Sequence, residues 1–319
     1  VYNKTMEIYT GAIKDIKDKR DYQFSDIAKS LPPFDWTKGY DIEDTIKLNI
    51  KDQGVSSSCG GQAWSYYGQA LDPDFEEKSA KFIYSQTFVG DGGSAGRTNC
   101  DLVINKGWGD EKYTTSYQNG LPPSEFFMER PQDITPQAFS DALKDRGLSY
   151  ANVNIDIDSI AQAIQENKGC VIGLAGSNNG TWRTKFPTKP SSIQGTWNHW
   201  LYCGKAKMIN GKKYIGFANS WGVSTGENGW QYISEDYIKY PFIWSAWTMV
   251  YGFPLFKFTK ILKFGMTNSD VKELQKRLGV IQTGFFGVLT RKAVINYQLS
   301  HGLKGDGVVG PVTIAVLNK

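Results

Sequence analysis

Apolar positions change their period along the chain. In QAWSYYGQAL (62–71) and EEKSAKFIYSQTF (76–88) they recur every three to four residues, which predicts helices, and a third helical stretch follows the GDGG turn at 90–93. Beyond residue 168 the helical period gives way to short apolar runs. GCVIGLAG (169–176), HWLYCGKAKM (199–208), KKYIGFANSW (212–221), GWQYIS (229–234) and AWTMVYGF (246–253) read as strands, with NGK at 210–212 as a hairpin turn. A helical half followed by a strand-rich half predicts an α+β domain over residues 33–254, with its cleft between the halves.

Two flanking regions have a different texture. Residues 1–32 mix charge with scattered apolar positions in a way that permits a helix before LPPF (31–34) stops it, and they stand as an N-terminal extension or the remnant of a propeptide. After FPLFKFTKIL (253–262), the stretch TNSDVKELQKRLG places Val271, Leu274 and Leu278 on one helical face. An internal echo follows, TGFFGVLTRKAV (283–294) against DGVVGPVTIAVL (306–317), with its glycines, threonine and apolar ending repeated. One helix and two turn-plus-helix units predict a small three-helix domain over 257–319.

Composition narrows the class without naming a chemistry. Of 319 residues, 40% are hydrophobic and 14% aromatic, enough to build a core and to exclude a mostly disordered chain. The net charge of +4 arises from 36 basic and 32 acidic residues spread along the chain, so no nucleic-acid patch is expected. No apolar run is long enough to span a bilayer. The chain starts at Val1 with no basic-then-apolar leader, which leaves secretion open. The four cysteines lack C-x-x-C spacing, which argues against a zinc site, and Cys100, Cys170 and Cys203 read as buried free thiols in apolar segments.

Cys59 is the exception. It lies in DQGVSSSCGGQAW (52–64), where three serines and two glycines leave the thiol unshielded at the mouth of a predicted helix. A thiol of ordinary pKa near 8.5 is mostly protonated at neutral pH, and a helix N-terminus with an imidazolium lowers it to roughly 3.5–7.5. The chain has two histidines. His301 belongs to the C-terminal module and reads as a surface or loop residue, so His199 is the candidate base for Cys59.

These residues resemble the motifs of the papain-like cysteine peptidase family. Gln53 stands six positions before Cys59, His199 opens a strand, and Asn219-Ser220-Trp221-Gly222 follows, over roughly residues 33–250. The resemblance implies a two-lobe fold, a helical lobe facing a β-barrel-like lobe, and a peptidase that needs no metal or organic cofactor. It assigns Cys59 as nucleophile, His199 as its proton partner, Asn219 as the group orienting the imidazole and Trp221 as the cover of that bond. The Gln53 amide and the Cys59 N–H would form the oxyanion hole. Gly92 and Gly93 look like the glycine pair that binds an extended substrate backbone. Ser56 and Gly60 depart from the family, which usually has a cysteine and an aromatic there. The first change removes a disulfide, and the second is expected to leave a wall of the cleft unfilled.

Residues 257–319 resemble the peptidoglycan-binding domain family, which implies peptidoglycan as a partner beside the polypeptide substrate. Together the two resemblances imply a wall-anchored thiol endopeptidase of bacterial or bacteriophage origin, secreted, located in the envelope or associated with a virion. The alternatives are a lysin acting on peptidoglycan cross-bridges and a non-catalytic binding protein on a peptidase fold.

Overall fold

The computed structural model describes residues 10–18, 21–29, 31–90, 92–145, 149–250, 258–278 and 280–317. Chain contacts divide it into two units, Val1–Tyr251 and Gly252–Lys319. In the first, β1 (Ala12–Ile13), α1 (Phe24–Ala28) and β2 (Tyr40–Asp41) precede a helical lobe of α2 (Cys59–Leu71), α3 (Ala80–Thr87), the short strand β3 (Ser94–Ala95), α4 (Gly96–Asn105), α5 (Glu125–Met128) and α6 (Pro136–Ala142). The strand-rich lobe follows: β4 (Tyr150–Asn152), α7 (Ile157–Asn167), β5 (Cys170–Gly176), β6 (Trp197–Ile209), β7 (Lys212–Ala218), β8 (Trp230–Ser234) and β9 (Ile243–Met249).

Local chemistry explains where these elements start and stop. The Ser79 hydroxyl accepts from Phe82 N at 2.9 Å and opens α3, and the Asp156 carboxylate accepts from Ser159 N at 2.8 Å to open α7. Along α7, Ile157, Ile160, Ala161 and Ile164 form the buried face, and the helix ends at Lys168 in the left-handed conformation, φ 59°. α2 has no exposed face, because all thirteen of its residues are buried. It therefore runs through the centre of the unit, with Trp64, Tyr66 and Tyr67 in the same core as Trp200, Tyr202 and Trp247 of the sheet.

The sheet is antiparallel, in the order β4-β9-β5-β6-β7-β8, with β2 added to β6. β5 pairs on both edges and is buried along its whole length, which explains its unbroken apolar run. The predicted hairpin joins β6 to β7, and Asn210 (φ 50°) and Gly211 (φ 75°) supply the two positive dihedrals such a two-residue turn needs. In this register Cys170 stands directly opposite Cys203, and both are buried free thiols, as is Cys100.

The N-terminal residues differ from the expected helix. Of those described, only Phe24–Ala28 are helical, and Ala12–Ile13 instead pair in parallel with Ser94–Ala95. Tertiary anchors override the local pattern. Asp15 accepts from Arg97 N at 2.9 Å, from the Trp247 indole at 2.9 Å and from the Ser245 hydroxyl at 3.1 Å. Asp21 takes Arg97 in a two-pronged ion pair. Residues 1–9 lie outside the described part.

The second unit holds α8 (Ser269–Arg277), α9 (Val288–Ser300) and α10 (Pro311–Leu317) around Phe258, Leu262, Val271, Leu274, Phe286, Val294, Val309 and Leu317. Its repeat is also written in polar contacts. Gln275 donates to Phe285 O (2.9 Å) and Thr290 Oγ1 (2.8 Å) and accepts from Gly284 N (2.8 Å). Gln298 donates to Val308 O (2.9 Å) and Thr313 Oγ1 (3.0 Å) and accepts from Gly307 N (2.9 Å). Each glutamine locks the turn that follows its helix. Among the described residues no helix is long and apolar enough to cross a membrane.

Candidate active site

Cys59 is the first residue of α2, and the backbone amides of Trp200, next in the chain to His199, and of Gly60 favour its thiolate. On β6, His199 donates from Nε2 to Asn219 Oδ1 at 3.0 Å, while its Nδ1 is buried without a hydrogen-bond partner. Trp221 stacks on the imidazole, with ring centroids 4.9 Å apart and planes at 28°. That places an apolar lid on the His199–Asn219 bond, where it excludes competing water.

Gln53 joins this group through a short antiparallel pairing of residues 51–53 with 220–222. Gln53 N donates to Ser220 O at 2.8 Å and Gly222 N to Lys51 O at 3.0 Å. The Gln53 side chain is held at both ends, donating to Ser56 O at 2.7 Å and accepting from the Ser220 hydroxyl at 2.5 Å. Cys59, His199, Asn219, Gln53 and Trp221 are thus brought into one neighbourhood from four separate segments.

The glycine pair lies across the groove, at φ 91° for Gly92 and 87° for Gly93. The Gly93 N–H donates to the Tyr84 hydroxyl at 2.7 Å, and an extended backbone does lie against this loop. That backbone is the chain's own: Ser94 N donates to Gly11 O at 2.8 Å. Gly11 has no room for a side chain, since a Cβ there would stand 1.8 Å from Ser57 O.

Two expectations are corrected here. Cys59 is fully buried, not unshielded. Its sequence neighbours are small, but the cover comes from residues remote in the chain. Nor is the wall beside Gly60 unfilled, because a Cβ at Gly60 would meet Ser94 Oγ at 2.2 Å, Asn99 Nδ2 at 2.7 Å and Trp200 Cδ1 at 3.4 Å. The Trp200 indole, fixed by its bond to Ser94 O at 2.8 Å, packs where an aromatic after the cysteine would have reached.

Burial sets the protonation of the pair. It pushes the Cys59 thiol up to about 12, against the backbone amides of Trp200 and Gly60, and the nearby Glu125 carboxylate adds to the rise. It also pushes His199 down to about 4, a fall that the Asn219 bond only partly offsets. In this covered arrangement the pair is a neutral thiol beside a neutral imidazole.

Several contributors escaped the sequence reading. Asn219 Nδ2 donates to Gln231 Oε1 at 2.7 Å, and Gln231 in turn donates to Trp182 O at 3.0 Å and Thr184 O at 2.6 Å, so a buried relay fixes the asparagine. The signal was a glutamine between Trp230 and Tyr232 in an otherwise apolar strand. Trp182 and Trp197 pack edge-on around Trp221. Glu125 accepts from both Ser57 N and the Tyr84 hydroxyl, which accepts from Gly93 N, so hydrogen bonds join the Cys59 loop to the glycine loop.

Among the described residues the one carboxylate cluster spaced for a metal is Asp72, Asp110 and Asp145. The Lys78 ammonium already occupies its centre at 2.5–2.6 Å from each. A pocket of about 710 Å³ between residues 47–50 and Trp230 and Tyr232 includes none of the site residues.

The first unit has a papain-like fold. It is similar to xylellain, a cysteine protease from Xylella fastidiosa, at 22% identity and TM-score 0.62 over 75% of this chain and 95% of that one. It is also similar to digestive procathepsin L 3 of Tenebrio molitor larval midgut (16%, TM-score 0.56, 70% and 72%) and to bromelain protease of Ananas comosus (19%, TM-score 0.51, 67% and 99%). Residues 267–317 match the family model described as "Putative peptidoglycan binding domain". A spore cortex-lytic enzyme of Halalkalibacterium halodurans is 42% identical over 66 residues, 19% of this chain and 20% of that one, so the match spans about a fifth of that relative's length.

Proposed function

We propose that the chain is a papain-type cysteine endopeptidase, kept latent by residues 10–18 and directed to peptidoglycan by residues 257–319. The observation that carries the reading is the His199–Asn219 bond under the stacked Trp221, beside a cysteine at a helix N-terminus. Asn219 takes the Nε2 hydrogen, which leaves Nδ1 as the nitrogen that exchanges a proton with Cys59. Once the groove opens to water, the desolvation that favours the neutral pair is relieved and the thiolate–imidazolium pair becomes accessible. The Cys59 thiolate attacks the substrate carbonyl, the Cys59 N–H and Gln53 amide receive the developing oxyanion, and the His199 imidazolium gives its proton to the leaving amine. Water, deprotonated by His199, then releases the acyl group from Cys59.

Latency follows from the position of Gly11. Its backbone is bonded to Ser94 and packed on Ser57, in the groove where a substrate backbone would lie. β1 runs parallel to β3, and the buried thiol carries no charge to attack with. The neighbour from Tenebrio molitor is a procathepsin. The C-terminal match supports wall targeting and an envelope or secreted location in a bacterium or phage.

The test is digestion of casein and of purified peptidoglycan by the full chain, with Cys59→Ala as control and Gly11→Leu as the opened form. Thiol-dependent casein cleavage that rises at least tenfold in Gly11→Leu is the expected result. Solubilised wall with intact casein would make the protein a lysin instead, a reading favoured by the cortex-lytic relative. Unchanged casein cleavage in Gly11→Leu would remove latency from the proposal.

A further inference from the structure

Two carboxylates stand beside the Cys59 loop, one of them hydrogen-bonded to it. Glu125 lies between the two loops that border the groove: one oxygen accepts from Ser57 N and the other from the Tyr84 hydroxyl, which itself accepts from Gly93 N. A Cβ at Gly92 would stand 3.2 Å from Glu125 Oε1, so the carboxylate reaches the glycine loop as well. Glu129 lies one helical turn further on, its backbone N donating to Glu125 O at 3.0 Å, and its carboxyl is raised by burial and by that neighbour's charge. Both side chains are half-buried, and among the described residues neither has a lysine or arginine in ion-pair contact. Elsewhere in the lobe the buried carboxylates Asp72 and Asp110 share the Lys78 ammonium. Among the described residues of the covering segment, Gly11 packs on Ser57, the residue whose N–H Glu125 holds.

An unbalanced carboxylate so close to a nucleophilic sulfur works against the thiolate. A cation bound on it would cancel that opposition. We propose that Glu125, backed by Glu129, selects a substrate with a lysine- or arginine-like cationic side chain on the acyl side of the scissile bond, next to the attacked carbonyl. This rests on the peptidase reading of the same groove and adds its substrate class. A merely structural Glu125, bridging two loops, would serve equally well for neutral substrates, so charge selectivity separates the two roles.

The test measures binding apart from turnover. The full chain carrying Gly11→Leu and Cys59→Ala is titrated calorimetrically with three product-like peptides of one sequence, ending in lysine, arginine or norleucine, whose last residue occupies the acyl-side position. The cationic peptides are expected to bind at least about tenfold tighter than the norleucine peptide. Adding Glu125→Gln, which keeps an acceptor for Ser57 N, should collapse that ratio to about twofold or less, with the larger loss falling on the cationic peptides. Adding Glu129→Gln should reduce the ratio by a smaller factor. Equal affinities for the three peptides, no binding of any of them, or an equal loss for all in Glu125→Gln would overturn the assignment. Casein cleavage by Gly11→Leu is read separately. Its failure with charge selectivity intact sinks the peptidase reading alone, and its success with no selectivity sinks this one alone.

Discussion

At the scale of single residues, the covered site couples protonation to closure. Buried His199 is held near 4, against an ordinary imidazole value of about 6.5. Between those values an exposed imidazole takes up a proton that the buried one refuses. The open or unfolded state then binds more protons, and the closed state loses stability as pH falls through this window. The loss should amount to a few kcal/mol at most, about 1.4 for each pH unit crossed. Thermal melts between pH 7 and 4.5 should therefore show a falling midpoint that is flatter in His199→Gln. Iodoacetamide should also reach Cys59 faster at pH 5, relative to a free thiol of matched pKa, than at pH 7. Identical pH slopes in the two proteins would show that His199 does not control closure. The same scale marks what a sequence reader could find. Gln53, Cys59, His199 and Asn219 carry a recognisable order, because their spacing is local to each motif. Gln231 and Glu125 do not, since their partners are residues 182, 184 and 219 in one case and 57 and 84 in the other. Only the folded register brings them together.

At the scale of elements, the helical lobe carries a buried charge cluster that its sequence pattern conceals. Lys78 is nearly inaccessible, and its three ammonium protons meet Asp72, Asp110 and Asp145. Burial raises the carboxyls of Asp72 and Asp110, but the hydrogen bond and charge of Lys78, joined by backbone amides at Asp72 and by Lys112 at Asp110, together outweigh it and leave both below their ordinary value. Carboxyls depressed in the native state contribute stability above the ordinary carboxylate range, and that contribution is lost as pH falls through their lowered values. Lys78→Met should cost about 3–5 kcal/mol at pH 7, because it removes the cation between buried Asp72 and Asp110 and leaves Asp110 only the exposed Lys112, 3.0 Å away. The deficit should shrink towards pH 3–4 as the stranded groups take up protons. Urea titrations at both pH values test this, and a deficit that does not vary with pH would mean that Lys78 acts through packing of its stem alone. Helices and strands with a clear period were legible, as α2, α3, β5 and the β6–β7 turn show, whereas α7 was not read from the sequence. The N-terminal stretch was not, because its shape is set by Asp15 and Asp21 gripping Arg97, Ser245 and Trp247. Gly60 misled for a similar reason, since the side chains that fill its place come from residues 94, 99 and 200.

At the scale of the molecule, each unit has a core of its own, and the second repeats one structural device at Gln275 and Gln298. Both glutamines are buried and spend donor and acceptor on turn backbone, so removing either leaves orphaned Gly N–H and carbonyl groups in an apolar setting. Leucine in their place fills the volume but makes none of the bonds, so the loss should reach a few kcal/mol, a large share of what so small a unit can hold. If the second unit is what holds the protein at the wall, Gln298→Leu in the full chain should abolish co-sedimentation with purified peptidoglycan. It should also leave the rate of casein cleavage by the Gly11→Leu background within about twofold. Loss of both together would show that the peptidase depends on the second unit for its fold, and retained sedimentation would move wall recognition away from the residues that the Gln298 clamp organises. Exposed Val288, Leu289 and Val312 lie on the same unit, and none of them belongs to its core. Exchanging them singly for serine should change sedimentation only where the wall is touched, which separates a binding surface from a collapsed fold.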